Sequence, residues 1–498
     1  MAMAVSPARF TRFTRLKRSA VSHQGRFDAF EISLLFTTLV LYASVKLIAH
    51  FRYGTSFDSA LLGNVAWRLG NGLSSVSTLT GYPYFATHAS GVMFLLAPIY
   101  RWFPNWGLPL TFIWQAVSVT LIGFALLIAC NALGIDRRSR RLLLIGCLLA
   151  PGAFLATRLD VHEPTLGLGF LAMTLAKGIE RVPGRRSWWW PALAAACRLE
   201  LAAATLVAGL LLLRKPGCWR TARSPIIAGM AGITFGAWFI ATAGSDAVSL
   251  AAHFAHLGSS PVAVVMAALR DPLLVVEPLA DSSIFLSIAV WLLPLGLILP
   301  LIGWRYLLVA LPTAAVSIFG TWEPADHFSH HYWYGFLVGA PFAAAFVLSR
   351  RPSLVNVFRV SSGVGLLAAW IPIATALPAI QPFGRSSSNG MEAIARISTN
   401  SAVSVSATNF ALGHLIARPG LFAFPRPFIC AKDLGPFHWN GEMPDQIIIR
   451  LEEKRPTETH RFMGSVLRQS YESTSPSSKL TVYRLNGPKQ SGFDCIDD

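Results

Sequence analysis

The stretch 158-RLDVHEP-164 decides how this chain is read. It lies between two apolar runs, 142-LLLIGCLLAPGAFLAT-157 and 165-TLGLGFLAMTLA-176. Arg158, Asp160, His162 and Glu163 bring four ionisable groups into seven residues. In hydrocarbon each would cost free energy. At a membrane boundary the same residues form a turn between two helices and gain a site at which charge can work.

Composition supports the membrane. The 498 residues are 53% hydrophobic and 13% charged, with a mean hydropathy of +0.50. Soluble domains carry roughly 25% charged residues. Several apolar runs approach the roughly 20 residues that a span needs. The net charge of +17 sits in short links: RFTRFTRLKR, DRRSRR, ERVPGRR, RKPGCWRTAR and SRRP. Lys and Arg in such links mark cytoplasmic loops and suit an anionic inner leaflet. The charge therefore reports topology and membrane lipid, and no nucleic-acid partner is expected. The run Phe30–Ala49 is too long for a signal-peptide core and no small-residue site closes it, so it reads as an uncleaved first helix.

Alternation then sets an all-α polytopic membrane domain over 30–380, after a basic cytoplasmic N-terminus over 1–29. Helices are expected at about 30–50, 106–130, 142–157 and 163–180. The segment 188-WWWPALAAACRLELAAATLVAGLLLLRK-215 has two basic flanks, which favours a hairpin of short helices meeting at Cys197–Glu200. Further helices are expected at about 225–243, 283–302, 304–320, 333–349 and 354–378, about 11 membrane segments in all. Outer loops fall at 51–105 and 244–282, each with amphipathic stretches suited to the interface. Beyond 380 the chain turns soluble, and SAVSVSA, QIIIRL and LTVYRL read as strands. A small α/β domain over 385–498 follows, extracytoplasmic because the span number is odd. The six cysteines show no metal spacing; Cys430 and Cys495 could pair outside the cytoplasm.

This topology gathers the polar residues on one face. Asp58 and His88 lie in the first outer loop, and Arg158, Asp160, His162 and Glu163 in the next turn. Arg198 and Glu200 sit at the hairpin tip, and Glu323, Asp326, His327, His330 and His331 in a later loop. Arginine holds phosphate by charge-assisted bonds, and a carboxylate can take a proton from an attacking hydroxyl. Each group also has a plainer role: Asp58 as a helix cap, Asp160 or Glu163 as a partner of Arg158, and Arg198–Glu200 as a structural pair. His327, His330 and His331, at i, i+3 and i+4, have metal-ligand spacing, or serve as interfacial residues beside Tyr332, Trp333 and Tyr334.

FDSALLGNVAWRLGNG, HASGVMFLLAPIYRWFP, DVHEPTLGLGFLAMTLA and the WWW segment, in this order and spacing over about 50–215, resemble the DUF2079 family of bacterial polytopic membrane proteins. HHYWYGFLVGAPFAAA and NFALGHLIARPGLFAFP extend the resemblance. It implies a bacterial inner membrane. That family is similar to GT-C glycosyltransferases, which use polyprenyl-phosphate sugars and an acidic residue of the first outer loop. By this analogy Asp58 is the catalytic base. His88, Arg158, Asp160, His162, Glu163, Arg198, Glu200, His330 and His331 line the substrate site. The partner is a polyprenyl-phosphate-linked sugar, the acceptor is unassigned, and no cofactor is implied with certainty, a divalent metal being left open. Two departures stand out. An Asp-Gln pair usual in the first loop is here Gly63-Asn64, and a Lys-Glu-Asp-like tip is Arg198-Leu199-Glu200. Two other functions compete with the transferase: a transporter or flippase of a lipid-linked molecule, and a non-catalytic scaffold presenting the soluble tail.

Overall fold

The computed structural model describes 27–376 apart from 53–56, 159, 181–187, 214–218, 243–256, most of 272–281, 320–330 and a few single positions. Beyond 376 it describes mainly 400–424, 444–450 and 471–486. The basic N-terminus, Cys218, Cys495 and the 321–330 loop with Glu323, Asp326, His327 and His330 lie outside the described residues.

Helix α1 (Ala29–Phe51) begins with a capping box: Asp28 accepts from the Glu31 backbone and Glu31 from the Asp28 backbone. Within the first long loop lie α2 (Phe57–Gly70) and α3 (Val92–Trp102). Next come α4 (Gly107–Leu133), α5 (Arg137–Leu148), α6 (Pro151–Arg158) and α7 (Glu163–Glu180). The run expected as one helix over 142–157 is thus longer and bent by 40° between α5 and α6. Pro151 explains the break, because it has no N–H to give and crowds the preceding residue out of the helical region.

The WWW segment folds as two short helices, α8 (Trp189–Cys197) and α9 (Leu199–Leu213). Arg198 between them is fully extended, with φ −167° and ψ 160°. Helix α10 (Trp219–Thr242) packs along α9. A Cβ on Gly229 would lie 2.6 Å from the Leu206 backbone nitrogen, so this crossing admits no side chain. The same holds where α7 crosses α4: a Cβ on Gly169 would lie 2.4 Å from the Ser118 carbonyl.

Of the later segments, 283–302 is not one helix. It divides into Ser282–Leu292, a 3-10 turn at Leu293–Leu295 and Ile298–Ile302. The 304–320 run divides at Leu308–Ala310 into Trp304–Leu307 and Leu311–Phe319. Two continuous helices follow, α11 (Phe336–Arg350) and α12 (Val355–Ala376). Among the described residues five helical segments are long and apolar enough to cross a membrane, or six with the bent α5–α6 pair. The sequence count of about 11 included segments that fold as short or broken helices.

Burial sorts the spans into layers. The span of α4 is 61% buried and that ending in α11 89%, whereas those of α1, α10 and α12 are 22%, 17% and 22% buried. The outward faces of these last three are apolar: Phe36 and Val40 on α1, Ile227 and Trp238 on α10, Val360 and Leu367 on α12. A helix apolar on its exposed side is built for lipid.

The tail carries a five-stranded mixed sheet in the order β2-β1-β4-β6-β5 (β1 Val405–Ala407, β2 Leu421–Ala423, β4 Gln446–Arg450, β5 Tyr471–Ser477, β6 Leu480–Leu485) and a small parallel pair (β3 Ile429–Cys430, β7 Ile496–Asp497). Strands β1, β4 and β6 fall within the three segments read as strands.

At the basic end of the bundle, α5 is tied to α1 by ions. Arg137 and Arg141 donate to Asp28 at 2.6 and 3.1 Å. The buried Arg140 forks onto both oxygens of the fully buried Glu31. Removing one partner strands the other charge. Glu31→Ala is therefore expected to cost about 3–5 kcal/mol. The double change Glu31→Leu with Arg140→Leu should recover most of that, read by unfolding of the purified protein.

Candidate functional site

The site forms at the opposite end, where the α6–α7 turn meets the first loop. Lys46, near the end of α1, donates to the Arg158 carbonyl at 3.3 Å. Gln115 on α4 donates to the Ala156 carbonyl at 2.6 Å. Ser59, in the first turn of α2, donates to Asp160 Oδ1 at 2.8 Å and accepts from the Val161 backbone at 3.1 Å. The turn is thus fixed from three helices. Its tie to Ser59 places it beside Asp58.

Glu163, the first residue of α7 and 2% exposed, gathers the rest. Its Oε1 accepts from the Tyr84 hydroxyl and faces His88 Nδ1 at 3.2 Å. Its Oε2 faces Arg198 Nη1 at 3.6 Å. Arg198 also pairs with Glu200 at 3.1 Å and donates to the Tyr332 hydroxyl at 3.1 Å, with its guanidinium over that ring. His88 stacks on Tyr84 with centroids 4.6 Å apart. The tip is held in turn by Ser90, which donates to the Cys197 carbonyl at 2.6 Å. An extended residue between two helices is what lets Arg198 reach Glu163 and Glu200 together.

Asp58 stands apart from this buried cluster. Its side chain keeps 53% of its surface open, while His162 Nε2 lies 3.9 Å from its Oδ2. Partial burial, followed by the nearby Asp160 and Glu163 carboxylates, raises its pKa from 3.8 to about 7, against an opposing pull from Arg198. Burial lowers His162 to about 4, although Asp160 and Glu163 favour its charged form. Near neutrality, an accessible carboxylate close to its midpoint faces a neutral imidazole. That pair can take up and release a proton.

Of the residues expected to line the site, Asp58, His88, Asp160, His162, Glu163, Arg198 and Glu200 join this constellation. Arg158 belongs to it through its carbonyl, while its guanidinium lies over Phe154 at 5.9 Å from the ring centre. Arg198, 3% exposed between two carboxylates, braces the site from within. His330 is outside the described residues, and of His331 only the backbone, in a 3-10 turn, is described. No cluster of three or more metal-binding side chains occurs among the described residues. Sequence reasoning passed over Tyr84, Ser59, Gln115, Tyr332 and Lys46. Lys46 alone left a signal, as the one charge in the otherwise uncharged interior of the first apolar run.

The two departures in the first loop also have a structural account. A Cβ on Gly63 would lie 3.0 Å from Ile416 Cδ1 and 3.2 Å from Tyr100, so the tail occupies the space an acidic side chain there would need. Buried Asn64 donates to the Ile416 and Arg418 carbonyls at 2.9 and 3.1 Å and accepts from Ser77 at 2.8 Å. Arg68 and Thr78 add contacts to the Pro419 carbonyl and the Leu421 backbone. The helix that carries Asp58 is thereby bound to the tail.

The raised pKa of Asp58 gives a folded state that holds a proton the unfolded chain has lost between about pH 4 and 7. Its stabilising contribution is complete below the unfolded value and vanishes as pH rises through about 7. Infrared titration of the Asp58 carboxyl should show a midpoint near 7, moved down in Asp160→Asn, which removes a like charge. A midpoint near 4 in the wild type would contradict the geometry.

Comparison with known proteins places the chain. No curated protein matches it. Among solved structures it is similar to the crystal structure of ArnT from Cupriavidus metallidurans bound to undecaprenyl phosphate, with 12% identity, a TM-score of 0.47, and coverage of 91% of this chain and 97% of that one. The family described as predicted membrane protein (DUF2079) matches residues 49–420, three quarters of the sequence and every described site residue except Lys46. The chain belongs to the DUF2079 family of predicted membrane proteins.

Proposed function

We propose that this protein is a GT-C-like glycosyltransferase that moves a sugar from a polyprenyl-phosphate donor to an acceptor hydroxyl at the outer face of the membrane. The observation that carries this reading is the pairing of an open Asp58 with His162 above a charge-compensated floor of Glu163, His88 and Arg198. In this reading the acceptor oxygen attacks the anomeric carbon while Asp58 takes its proton. The bond from that carbon to the phosphate oxygen breaks, the electron pair leaves with the lipid phosphate, and the anomeric configuration inverts. His88 and Arg158, at the rim, hold the phosphate. Glu163, Arg198 and Glu200 position the rim by fixing the hairpin tip against the first loop. Asp160 keeps Asp58 from ionising too readily.

In the same reading the basic end faces the cytoplasm of a bacterial inner membrane and the tail domain is extracytoplasmic. Helix α7, the short helices of the WWW hairpin and the two broken segments over 282–319 count as further spans, which restores a total of about 11. The lipid chain would lie along the apolar faces beside the first loop, and the tail beside α2 would help to seat the acceptor.

Asp58→Asn should lower sugar transfer by roughly 100-fold or more while leaving membrane abundance and polyprenyl-phosphate binding intact. Wild-type transfer should rise with pH through about 7 as the base ionises. Arg158→Ala should instead weaken lipid-phosphate binding. Wild-type protein that binds no polyprenyl phosphate, or an Asp58→Asn variant that still transfers sugar, would overturn the proposal.

A further inference from the structure

A second polar pocket lies away from the Asp58–Glu163 cluster, where the tail meets the end of α1. It has a volume of about 150 Å³ and is lined by His50, Asn105 and Leu108 from the membrane unit and by the 413–418 segment of the tail, with His414 and Arg418. The rings of His50 and His414 stack with centroids 4.2 Å apart. The His414 Nε2 is engaged with the His50 carbonyl at 2.9 Å. His50 is 4% exposed, and its Nδ1 has no hydrogen-bond partner among the described residues.

Arg418 makes the pocket unusual. It is 1% exposed, and its guanidinium donates to the carbonyls of Leu415, Val403 and Ile397 at 2.9 to 3.0 Å. These carbonyls orient the charge without neutralising it. No carboxylate pairs with Arg418 among the described residues, and none lines the pocket. Burial alone acts on the guanidinium, lowering its pKa to about 10. A buried positive charge without a counter-charge is costly. Lys46, one turn before His50, adds to the positive field. A concave space with a positive field, an unused imidazole nitrogen and no acid is suited to an anion rather than to a cation or an apolar group.

We propose that this junction pocket binds a phosphate-class oxyanion, with the N–H groups of Arg418, His50 and Asn105 as donors. The anion is either free phosphate or the headgroup of a lipid phosphomonoester. Its position explains how occupancy would reach the other site: the Ile416 and Arg418 carbonyls that border the pocket are those held by Asn64 on the Asp58 helix. An anion that orders 413–418 would also firm the seat of that helix. This inference does not depend on the transferase reading.

The test is calorimetric titration of inorganic phosphate into full-length protein in nanodiscs of zwitterionic lipid, with chloride as control. Phosphate should bind the wild type; His50→Phe, which removes a donor, and His414→Phe, which removes the bond that seats His50, should each weaken binding by about tenfold or more. His50→Asn, which keeps a donor, should restore part of it. The losses in His50→Phe and His414→Phe should be the same when measured in an Arg158→Ala background, which removes the proposed donor-site contact. Phosphatidic acid in the disc competing with phosphate would assign the anion to a headgroup; no competition would assign it to the free ion. Absence of wild-type binding, or binding by the His50→Phe and His414→Phe variants equal to that of the wild type, would overturn the proposal.

Discussion

A carboxylate taken out of water must meet its counter-charges inside the protein, and Glu163 is where this chain meets that demand. One side chain accepts from Tyr84, faces His88 and faces Arg198, so a single group fastens the first loop, the start of α7 and the hairpin tip. Three segments far apart in sequence converge on it because a buried Glu163 finds no counter-charge within its own turn, while Arg198 of the tip already has Glu200 at 3.1 Å. The openness of Asp58 follows from the same arrangement. With Glu163 and Arg198 compensating each other below, Asp58 is left at the surface of the cluster. Two other carboxylates and the surrounding protein then raise its pKa.

The sequence showed the gathering of these residues but not their division of labour. Basic links and apolar run lengths were enough to bring Asp58, His88, the 158–164 turn and the 198–200 tip to one end, since that reading needs only chain direction. They could not tell a buried strut from an open carboxylate, because burial depends on packing between distant helices. Arg198 and Asp58 look alike as charges between apolar runs. In the fold one is 3% exposed and the other 53%. Hydroxyl partners such as Tyr84 and Ser59 left no periodic or charge signal. The breaks in the later segments went unread for a related reason: apolar content at 283–320 was sufficient for two continuous helices, but Pro294, Gly296 and Gly303 divide it, and composition averages over such breaks.

The bundle itself is held by two different strategies at its two ends. The basic end uses dense ion pairs around Asp28 and Glu31, which fix α1 against α5. The other end combines the Arg198 pairs to Glu163 and Glu200 with hydrogen bonds from Lys46, Gln115 and Ser59 to the 156–161 turn, and Asp58 stays open beside them.

The docking of the tail has one more consequence. Asn64 and Arg68 take hold of carbonyl oxygens at 416, 418 and 419, and Thr78 of the backbone at 421. None of these bonds reads a side chain of the tail. The joint therefore recognises the path of the chain and leaves the side chains of Ala417 and Pro419 free, while Leu415, Ile416, Arg418 and Leu421 are held by their own burial. Space sets a further limit: at Gly420 a Cβ would come within 2.7 Å of Ser404 Cβ. Such a joint lets the tail domain diversify its outer surface while the helix that bears Asp58 stays held in the same way.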